Sequence, residues 1–331
     1  MLPISERSEV LRVKEKYEDY LLKIEGVTGI GVNGSIRIYV EKLTPQLARM
    51  LPRELDGIPV KIIETGKIIP MSVAVAHAIY ADRTKRYRPA PGGVSVGHPQ
   101  VSAGTLTGRA IDRRDGRVVG LSNNHVIALD WGTLHVGKKG DATLQPGPFD
   151  GGRDPEDKIG ELKRWIPVRV DEPNEVDAAI FDSEELADYV QDIGKPAESV
   201  EPYEGMKVVK SGRTSGVTYG TITDVSATIR VDGWGVCIFK NQIAVEPAIL
   251  SPGDSGSWVG EVDSWRTVGV GFAGSQRISF VNPALTVERL LDIRIIPPVR
   301  PIPAWAAVGV IGSVFLAASA LKYEEVGGVA I

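Results

Sequence analysis

The sequence has little that would suit export or contact with nucleic acid. It contains one cysteine, Cys237, in the apolar stretch 236–239, so no internal disulfide can form and the fold owes nothing to an oxidising compartment. Its net charge of −4 has the wrong sign for a protein that must neutralise a row of phosphates. Charged residues from Glu6 onward stand where an export signal needs an apolar core. We therefore expect neither a nucleic-acid partner nor a cleavable export signal.

Helical patterns are scarce between about residues 93 and 291. The 331-residue chain holds 37 glycines and 22 prolines, which favour turns. Short β-branched runs recur between Gly, Asp and Asn turns, and acidic helical patches occur only near 183–190 and 287–291. This pattern predicts a β-sandwich or β-barrel, in a chain long enough for two or three folding units.

The two ends of the chain differ from this central region. Residues 1–80 have the pattern of a small α+β domain, with an amphipathic helix over about 5–24, a hairpin around Asn33-Gly34, a short helix capped by Thr44 and a strand over 60–64. Residues 81–92 read ADRTKRYRPAPG, which is the composition of a linker. We expect a central domain over 93–297 and a tail over 298–331. For the N-terminal domain we expect a regulatory or partner-binding role.

The sharpest motif is SPGDSGS at 251–257, which follows a mostly apolar run. Glycines around Ser255 allow the backbone to bend tightly, so successive N–H groups can point at one spot while the hydroxyl stays exposed. That is the geometry of an oxyanion hole, although Gly/Ser/Asp clusters are also common in ordinary turns.

A serine hydroxyl is a poor nucleophile until a base takes its proton, so the motif requires a histidine. Of the four in the chain, His125 stands at the end of an apolar strand in VVGLSNNHV (118–126). His77, His98 and His135 lie in an apolar run, a turn and a loop. His125 is therefore the candidate base.

The imidazole in turn needs a carboxylate to fix its tautomer and stabilise its charged form. Asp177 is the acid at the mouth of the apolar strand in EVDAAIF (175–181), where a carboxylate is costly without a partner. The chain order is His125, Asp177, Ser255, with spacings of about 50 and about 80 residues.

These motifs, in this order, resemble those of trypsin-like serine peptidases with the chymotrypsin fold, of the bacterial and archaeal kind that lacks disulfides. The resemblance covers about residues 92–283, through GGVSVG, SAGTLTG, LSNNHV, LQPGPFDGG, EVDAAIF, KSGRTSGVTYGTI and SPGDSGSWV. It implies two Greek-key β-barrels of chymotrypsin type with the triad in the cleft between them. The expected architecture is mainly β, with the small α+β domain before the barrels and a hydrophobic C-terminal helix after them.

Carried over residue by residue, the resemblance implies that Ser255 attacks the scissile carbonyl, His125 moves the proton and Asp177 orients His125. The oxyanion hole would be the backbone N–H groups of Gly253 and Ser255. The implied substrate pocket comprises Ile249, Gly269, Gly271, Phe272 and Gly274. Because Ile249 stands where enzymes that cut after Lys or Arg carry an acid, we expect uncharged side chains before the cut.

One departure from the family concerns activation. No Ile-Val-Gly-Gly type start follows an evident cleavage site. Activation by a freed N-terminus buried against Asp254 therefore lacks its usual sequence support.

The sequence leaves three functions open. The first is an endopeptidase that acts on proteins or peptides through an acyl-enzyme; the others are a catalytically idle peptide-binding or structural module and a serine esterase. We expect no cofactor and no metal, because the acidic loop 150–157 lacks the regular ligand spacing of a calcium loop. The oligomeric state is left open.

The tail contains an uncharged stretch, Pro301 to Leu321, bracketed by Arg300 and Lys322. About 20 apolar residues suffice to cross a bilayer as a helix, so the stretch predicts a membrane anchor. A hydrophobic helix packed on the protein or on a partner is the alternative. Arg294 and Arg300 flank the stretch on the catalytic side, and the positive-inside tendency then places the peptidase in the cytoplasm.

We expect the full-length protein to resist alkaline carbonate extraction from membranes, because the anchor would lie in hydrocarbon. A version ending at Pro298 should be soluble. Recovery of the full-length protein in the soluble fraction without detergent would show that the anchor is wrong and that protein covers the segment.

Overall fold

A computed structural model describes residues 4–71 and 82–295, and the expected anchor and C-terminal helix lie outside these ranges. The described helices are α1 Ile4–Leu21, α2 Pro45–Met50, α3 Asn124–Ile127 and α4 Ala284–Leu291, with a 3-10 turn at Pro148–Asp150. None of the helices in this part of the chain is long and apolar enough to cross a membrane.

The strands are β1 Val27–Val32, β2 Ile36–Val40, β3 Glu54–Leu55, β4 Ile58–Glu64, β5 Ile69–Pro70, β6 Ala90–Gly92, β7 Ser95–Val96, β8 Gly104–Thr105, β9 Gly108–Asp112, β10 Val118–Ser122, β11 Asp130–Trp131, β12 Leu134–His135, β13 Ala142–Leu144, β14 Lys158–Trp165, β15 Ala179–Asp182, β16 Leu186–Val190, β17 Ala197–Ser199, β18 Lys207–Gly212, β19 Gly216–Gly233, β20 Gly235–Glu246, β21 Trp258–Glu261, β22 Arg266–Gly274, β23 Ser279–Pro283 and β24 Ile293–Arg294. The described chain is therefore mainly β, as the sequence predicts.

Two sheets hold most of these strands. The larger has twelve, in the order β18-β21-β22-β23-β20-β19-β1-β2-β4-β3, with β5 and β17 paired to β22. The smaller has six, in the order β13-β14-β15-β10-β9-β24. The smaller sheet carries two segments at one end of the β10–β15 pair, residues 123–128 and 174–178. The larger sheet carries the loop 247–257, which connects β20 to β21.

The N-terminal strands continue the larger sheet. β1 pairs antiparallel with β19, with Gly29 opposite Ile229 and Ile30 opposite Thr228. Ion pairs also join the N-terminal helix to the larger sheet: Glu18 pairs with Lys14 at 3.0 Å and with Lys240, on β20, at 2.6 Å. The division into domains at residues 80 and 93 stays a prediction, but strand pairing and ion pairs join the two sides.

The described part of the expected linker, residues 82–92, is packed on the β region. Arg83 is 3% exposed, and its guanidinium donates to Ser211 Oγ at 2.6 Å and to Gly93 O at 3.0 Å. Arg83 Nη2 pairs with Asp192 Oδ2 at 2.7 Å. These contacts fix the basic segment in place despite its linker-like composition.

Local patterns in the sequence give mixed outcomes. The Thr44 cap is confirmed, since Thr44 Oγ1 accepts from Leu47 N at 3.1 Å. The helical patch expected at 183–190 is wrong for its second half, because 186–190 forms β16 parallel to β6. Burial of Leu186 and Val190 beside an available strand outweighs the helix-like acidic pattern.

Asp224 lies buried beneath the seam between β1 and β19. Its Oδ2 accepts from Val32 N at 2.7 Å and from Tyr39 Oη at 3.3 Å. A Cβ on Gly31 would lie 1.7 Å from that oxygen, so glycine is required there. Burial raises the pKa of the Asp224 carboxyl to about 6, although the backbone hydrogen bonds it accepts and the charges of Lys14 and Arg37 act in the opposite direction.

Asp224→Asn should remove a pH dependence of stability. The folded state holds the Asp224 proton to a higher pH than the unfolded chain, so this group's contribution to stability declines as pH rises from about 4 to about 6. In urea titrations, the free energy of unfolding of the variant relative to the wild type should therefore rise over that interval, by up to about 3 kcal/mol. Asparagine has one acceptor oxygen fewer than aspartate. The stability lost for that reason is the same at both ends of the pH interval, so it cancels from the change in the difference.

Asp263→Asn, which alters a carboxylate in an exposed turn, is the matched control. A flat difference between Asp224→Asn and the wild type across this interval would contradict the assignment.

Candidate active site

The three triad candidates come from both sheets, and all are fully buried. His125 lies in α3 directly after β10, and Asp177 lies two residues before β15. β10 and β15 are antiparallel neighbours, with Ser122 opposite Ala179, so the end of one and the start of the other meet at the same edge. Ser255 lies in the loop between β20 and β21 of the larger sheet.

His125 and Asp177 are in direct contact. His125 Nδ1 bonds to Asp177 Oδ2, and His125 N donates to Asp177 Oδ1 at 3.1 Å. A carboxylate on Nδ1 assigns the ring proton to that nitrogen and leaves Nε2 as the basic one. Nε2 is buried and has no hydrogen-bond partner among the described residues. The pair therefore presents a free base nitrogen.

Two asparagines fix the position of Asp177. Asn123 Nδ2 donates to Asp177 O at 2.7 Å, and Asp177 N donates to Asn282 Oδ1 at 2.7 Å. Trp131 packs edge-on against the His125 ring, with centroids 5.6 Å apart. The imidazole and its carboxylate are thus held by packing and backbone contacts as well as by each other.

The backbone donors predicted around Ser255 converge on one oxygen. Gly253 N donates to Met71 O at 2.7 Å, and Ser255 N donates to the same oxygen at 3.2 Å. Gly253 has φ +100°, which an L-residue rarely adopts. The loop is therefore shaped to hold a peptide carbonyl oxygen with two N–H groups.

The Ser255 hydroxyl points elsewhere in this state. Ser255 Oγ donates to Phe272 O at 3.0 Å, and it makes no hydrogen bond to His125. Catalytic hydrogen bonds are often absent or long before the reacting geometry is assembled.

The carbonyl that these two N–H groups hold belongs to a segment that lies along β22. β5 pairs antiparallel with β22, with Ile69 opposite Gly274 and Pro70 opposite Ala273. Met71 N then donates to Phe272 O at 3.0 Å. From the sequence, Met71 is expected only near the end of the N-terminal domain, and its position beside Ser255 was not predicted.

The five predicted pocket residues occupy two environments. Phe272 and Gly274 meet the Met71 strand, and Ile249 belongs to the same buried apolar cluster as Met71. Gly271 faces the same cluster, since a Cβ there would meet Leu250 Cδ2 at 2.7 Å. Gly269 lies against the neighbouring strand, since a Cβ there would meet Asn282 O at 2.3 Å.

A buried lysine that the sequence analysis did not identify supports the serine loop. Lys210, on β18, is fully buried, with Nζ 2.9 Å from Asp254 Oδ2. Asp254 also accepts from the backbone N–H groups of Ser251 at 2.9 Å and Thr214 at 2.8 Å. Burial would raise the pKa of the Asp254 carboxyl, but the Lys210 charge and these hydrogen bonds outweigh it and hold that pKa below its usual value.

Other candidates for chemistry have structural partners. Asp150, in the acidic loop, pairs with Arg213, and His98 and His135 contact Asp141 at 3.2 Å and Asp130 at 2.7 Å. In the ranges 4–71 and 82–295, no group of three or more His, Cys, Asp or Glu residues could hold a metal ion.

Neither a family model nor a curated protein sequence matches this chain. In structure it is similar to Thermobifida fusca Protease A, with 16% identity, 63% of this chain and 98% of that one covered, and a TM-score of 0.45. A Cellulomonas bogoriensis chymotrypsin has 18% identity, the same coverages and a TM-score of 0.43. A Nocardiopsis protease has 16% identity and a TM-score of 0.44, and the match covers 62% of this chain and 98% of that one.

Lys210→Met should destabilise the protein strongly. It leaves the Asp254 carboxylate buried without its countercharge, and breaking a buried pair in this way costs about 3–5 kcal/mol. The free energy of unfolding from urea titration measures the loss. Lys207→Met is the control, because Lys207 is an exposed lysine on the same strand and should change that free energy by less than about 0.5 kcal/mol. Equal stability of the two variants would show that the pair does not hold the loop.

Proposed function

We propose that this chain is a serine endopeptidase that hydrolyses peptide bonds through an acyl-enzyme. The observation that carries the proposal is the convergence of Gly253 N and Ser255 N on a single peptide carbonyl oxygen, that of Met71. This is the arrangement that stabilises the negative charge of a tetrahedral intermediate. The His125–Asp177 pair supplies the base that the serine needs.

In the proposed mechanism, Ser255 Oγ turns to His125 Nε2, loses its proton to that nitrogen and attacks the substrate carbonyl carbon. The oxygen that becomes negative is held by Gly253 N and Ser255 N. His125 then gives the proton to the leaving amine as the C–N bond breaks. A water molecule repeats the cycle on the ester, giving a carboxylic acid and restoring the serine, while Asp177 stabilises the charged imidazole throughout.

The fold that we propose for this activity has two β-barrels of chymotrypsin type. The smaller sheet supplies His125 and Asp177, and the larger one supplies Ser255, so the site lies where the two sheets meet. This division supports the arrangement implied by the sequence resemblance, a triad in the cleft between two barrels.

The site favours an extended peptide as its substrate. Phe272 O and the β22 backbone at Ala273 and Gly274 form a ladder with a paired strand, and such main-chain contacts recognise peptides. A small ester would leave this edge unused, which argues against the esterase. The apolar cluster of Ile249 and Leu250 around the Met71 side chain favours an uncharged residue before the cut.

Ser255→Ala and His125→Ala should each lower kcat on a peptide substrate by at least about a thousandfold, with the fold retained. Asp177→Asn should cost about as much, because it admits the wrong imidazole tautomer. A fluorophosphonate probe should label Ser255 in the wild type and fail to label the Ser255→Ala variant.

His135→Ala provides the matched control for the loss of an imidazole, since His135 is exposed and contacts Asp130. It should keep its kcat. Retention of peptide cleavage by purified Ser255→Ala would overturn the proposed mechanism. A wild type that neither cleaves peptides nor takes the label would favour the idle peptide-binding module.

A further inference from the structure

Residues 68–71, here called the cleft strand, occupy the site of the proposed peptidase. The strand is held on both sides: Asp232 N donates to Ile68 O at 3.1 Å, and β22 pairs with Ile69 and Pro70. At its end, the Met71 amide donates to Phe272 O, and the Met71 carbonyl enters the oxyanion hole. The chain thus binds part of itself along β22, up to the two N–H groups of the serine loop.

The position of the Met71 side chain agrees with this arrangement. Met71 is 3% exposed and belongs to the apolar cluster that contains Ile249 and Leu250. A Cβ on Gly274 would lie 3.3 Å from Met71 Cε, so the thioether passes directly over that glycine. An uncharged side chain therefore fills the pocket that the site offers to the residue before a scissile bond.

Simple packing does not account for the Met71 carbonyl. A strand that only completes the sheet would need its hydrogen bonds to β22, and those are made by residues 69–71. The additional convergence of Gly253 N and Ser255 N on Met71 O places the carbonyl where a scissile carbonyl must be polarised.

We infer that the chain cleaves itself after Met71, in an inference that rests on the proposed peptidase function. Ser255 Oγ bonds to the Met71 carbonyl carbon, and the bond from that carbon to the Ser72 nitrogen breaks. The Ser255 proton passes through His125 to the released amine. Water then cleaves the ester, leaving a carboxylic acid on Met71 and a proton on Ser255.

The contacts of the N-terminal residues make this reaction intramolecular. β1 pairs with β19, Arg37 pairs with Glu246 at 2.9 Å, and Lys67 pairs with Asp232 at 2.5 Å, immediately beside the cleft strand. These contacts hold the Met71 carbonyl at the site without a diffusional encounter. They do not involve the bond that breaks, so the fragment 1–71 stays bound after the cut.

The test follows the purified full-length wild type and Ser255→Ala by intact mass and by N-terminal sequencing. The wild type should yield a fragment that ends at Met71 and one that begins SVAVAHAIY, whereas Ser255→Ala should stay whole. The rate should not change over a hundredfold range of protein concentration. The two fragments should elute together in gel filtration and separate only on denaturation.

Two methionines give a matched pair of variants. Met71→Asp puts a carboxylate in an apolar pocket and should slow the cleavage at least about a hundredfold. Met50→Asp changes a methionine that is 54% exposed and should leave the rate unchanged. Because Met71→Asp could also disturb folding, Met71→Leu, which keeps the volume and the apolar character, should be cut within a few-fold of the wild-type rate.

Fluorophosphonate labelling of Ser255 in the same samples separates this inference from the proposed function. A wild type that is labelled but remains whole, or is cut at another bond, overturns self-cleavage and leaves the peptidase standing. A wild type that is neither labelled nor cut overturns both. A cut after Met71 that persists in Ser255→Ala assigns the cleavage to another protease and overturns the inference.

Discussion

The ion pair between Lys210 and Asp254 is the interaction on which the site depends. Asp254 stands between Gly253 and Ser255, whose N–H groups both donate to the Met71 carbonyl. Its carboxylate accepts hydrogen bonds from Lys210 Nζ and from the backbone N–H groups of Thr214 and Ser251. Removing a carboxylate from water is costly, so the loop needs a permanent countercharge. Lys210 comes from the neighbouring strand β18, so the countercharge is part of the folded chain itself.

Under the inferred self-cleavage, this internal countercharge would hold the serine loop in shape before the cut. The two N–H donors are aligned while residues before and after Met71 are still one chain, as their hydrogen bonds to Met71 O show. His125 Nε2 has no hydrogen-bond partner among the described residues, and Ser255 Oγ donates to Phe272 O.

Residues with a distinctive local pattern could be placed from the sequence. His125 follows the apolar strand β10 and Asp177 precedes the apolar strand β15, and antiparallel pairing of those strands brings the two residues together. Lys210 could not be recognised, because Lys207 and Lys210 occur in the same short β run and only the tertiary fold decides which one is buried. Met71 was hidden for a related reason: nothing in its local sequence indicates the β22 strand that receives it, which lies about 200 residues later in the chain.

The pairing of β1 with β19 also affects the solubility of the molecule. Without residues 27–32, the peptide groups of β19 around Thr228 and Ile229 would become an open strand edge, and the buried Ala227 and Ile229 would lie beside it. Open edges of this kind accept strands from other molecules and promote aggregation. β1 therefore covers the edge of β19. Under the inferred self-cleavage, the fragment 72–331 would still need the bound fragment 1–71 to keep that edge covered.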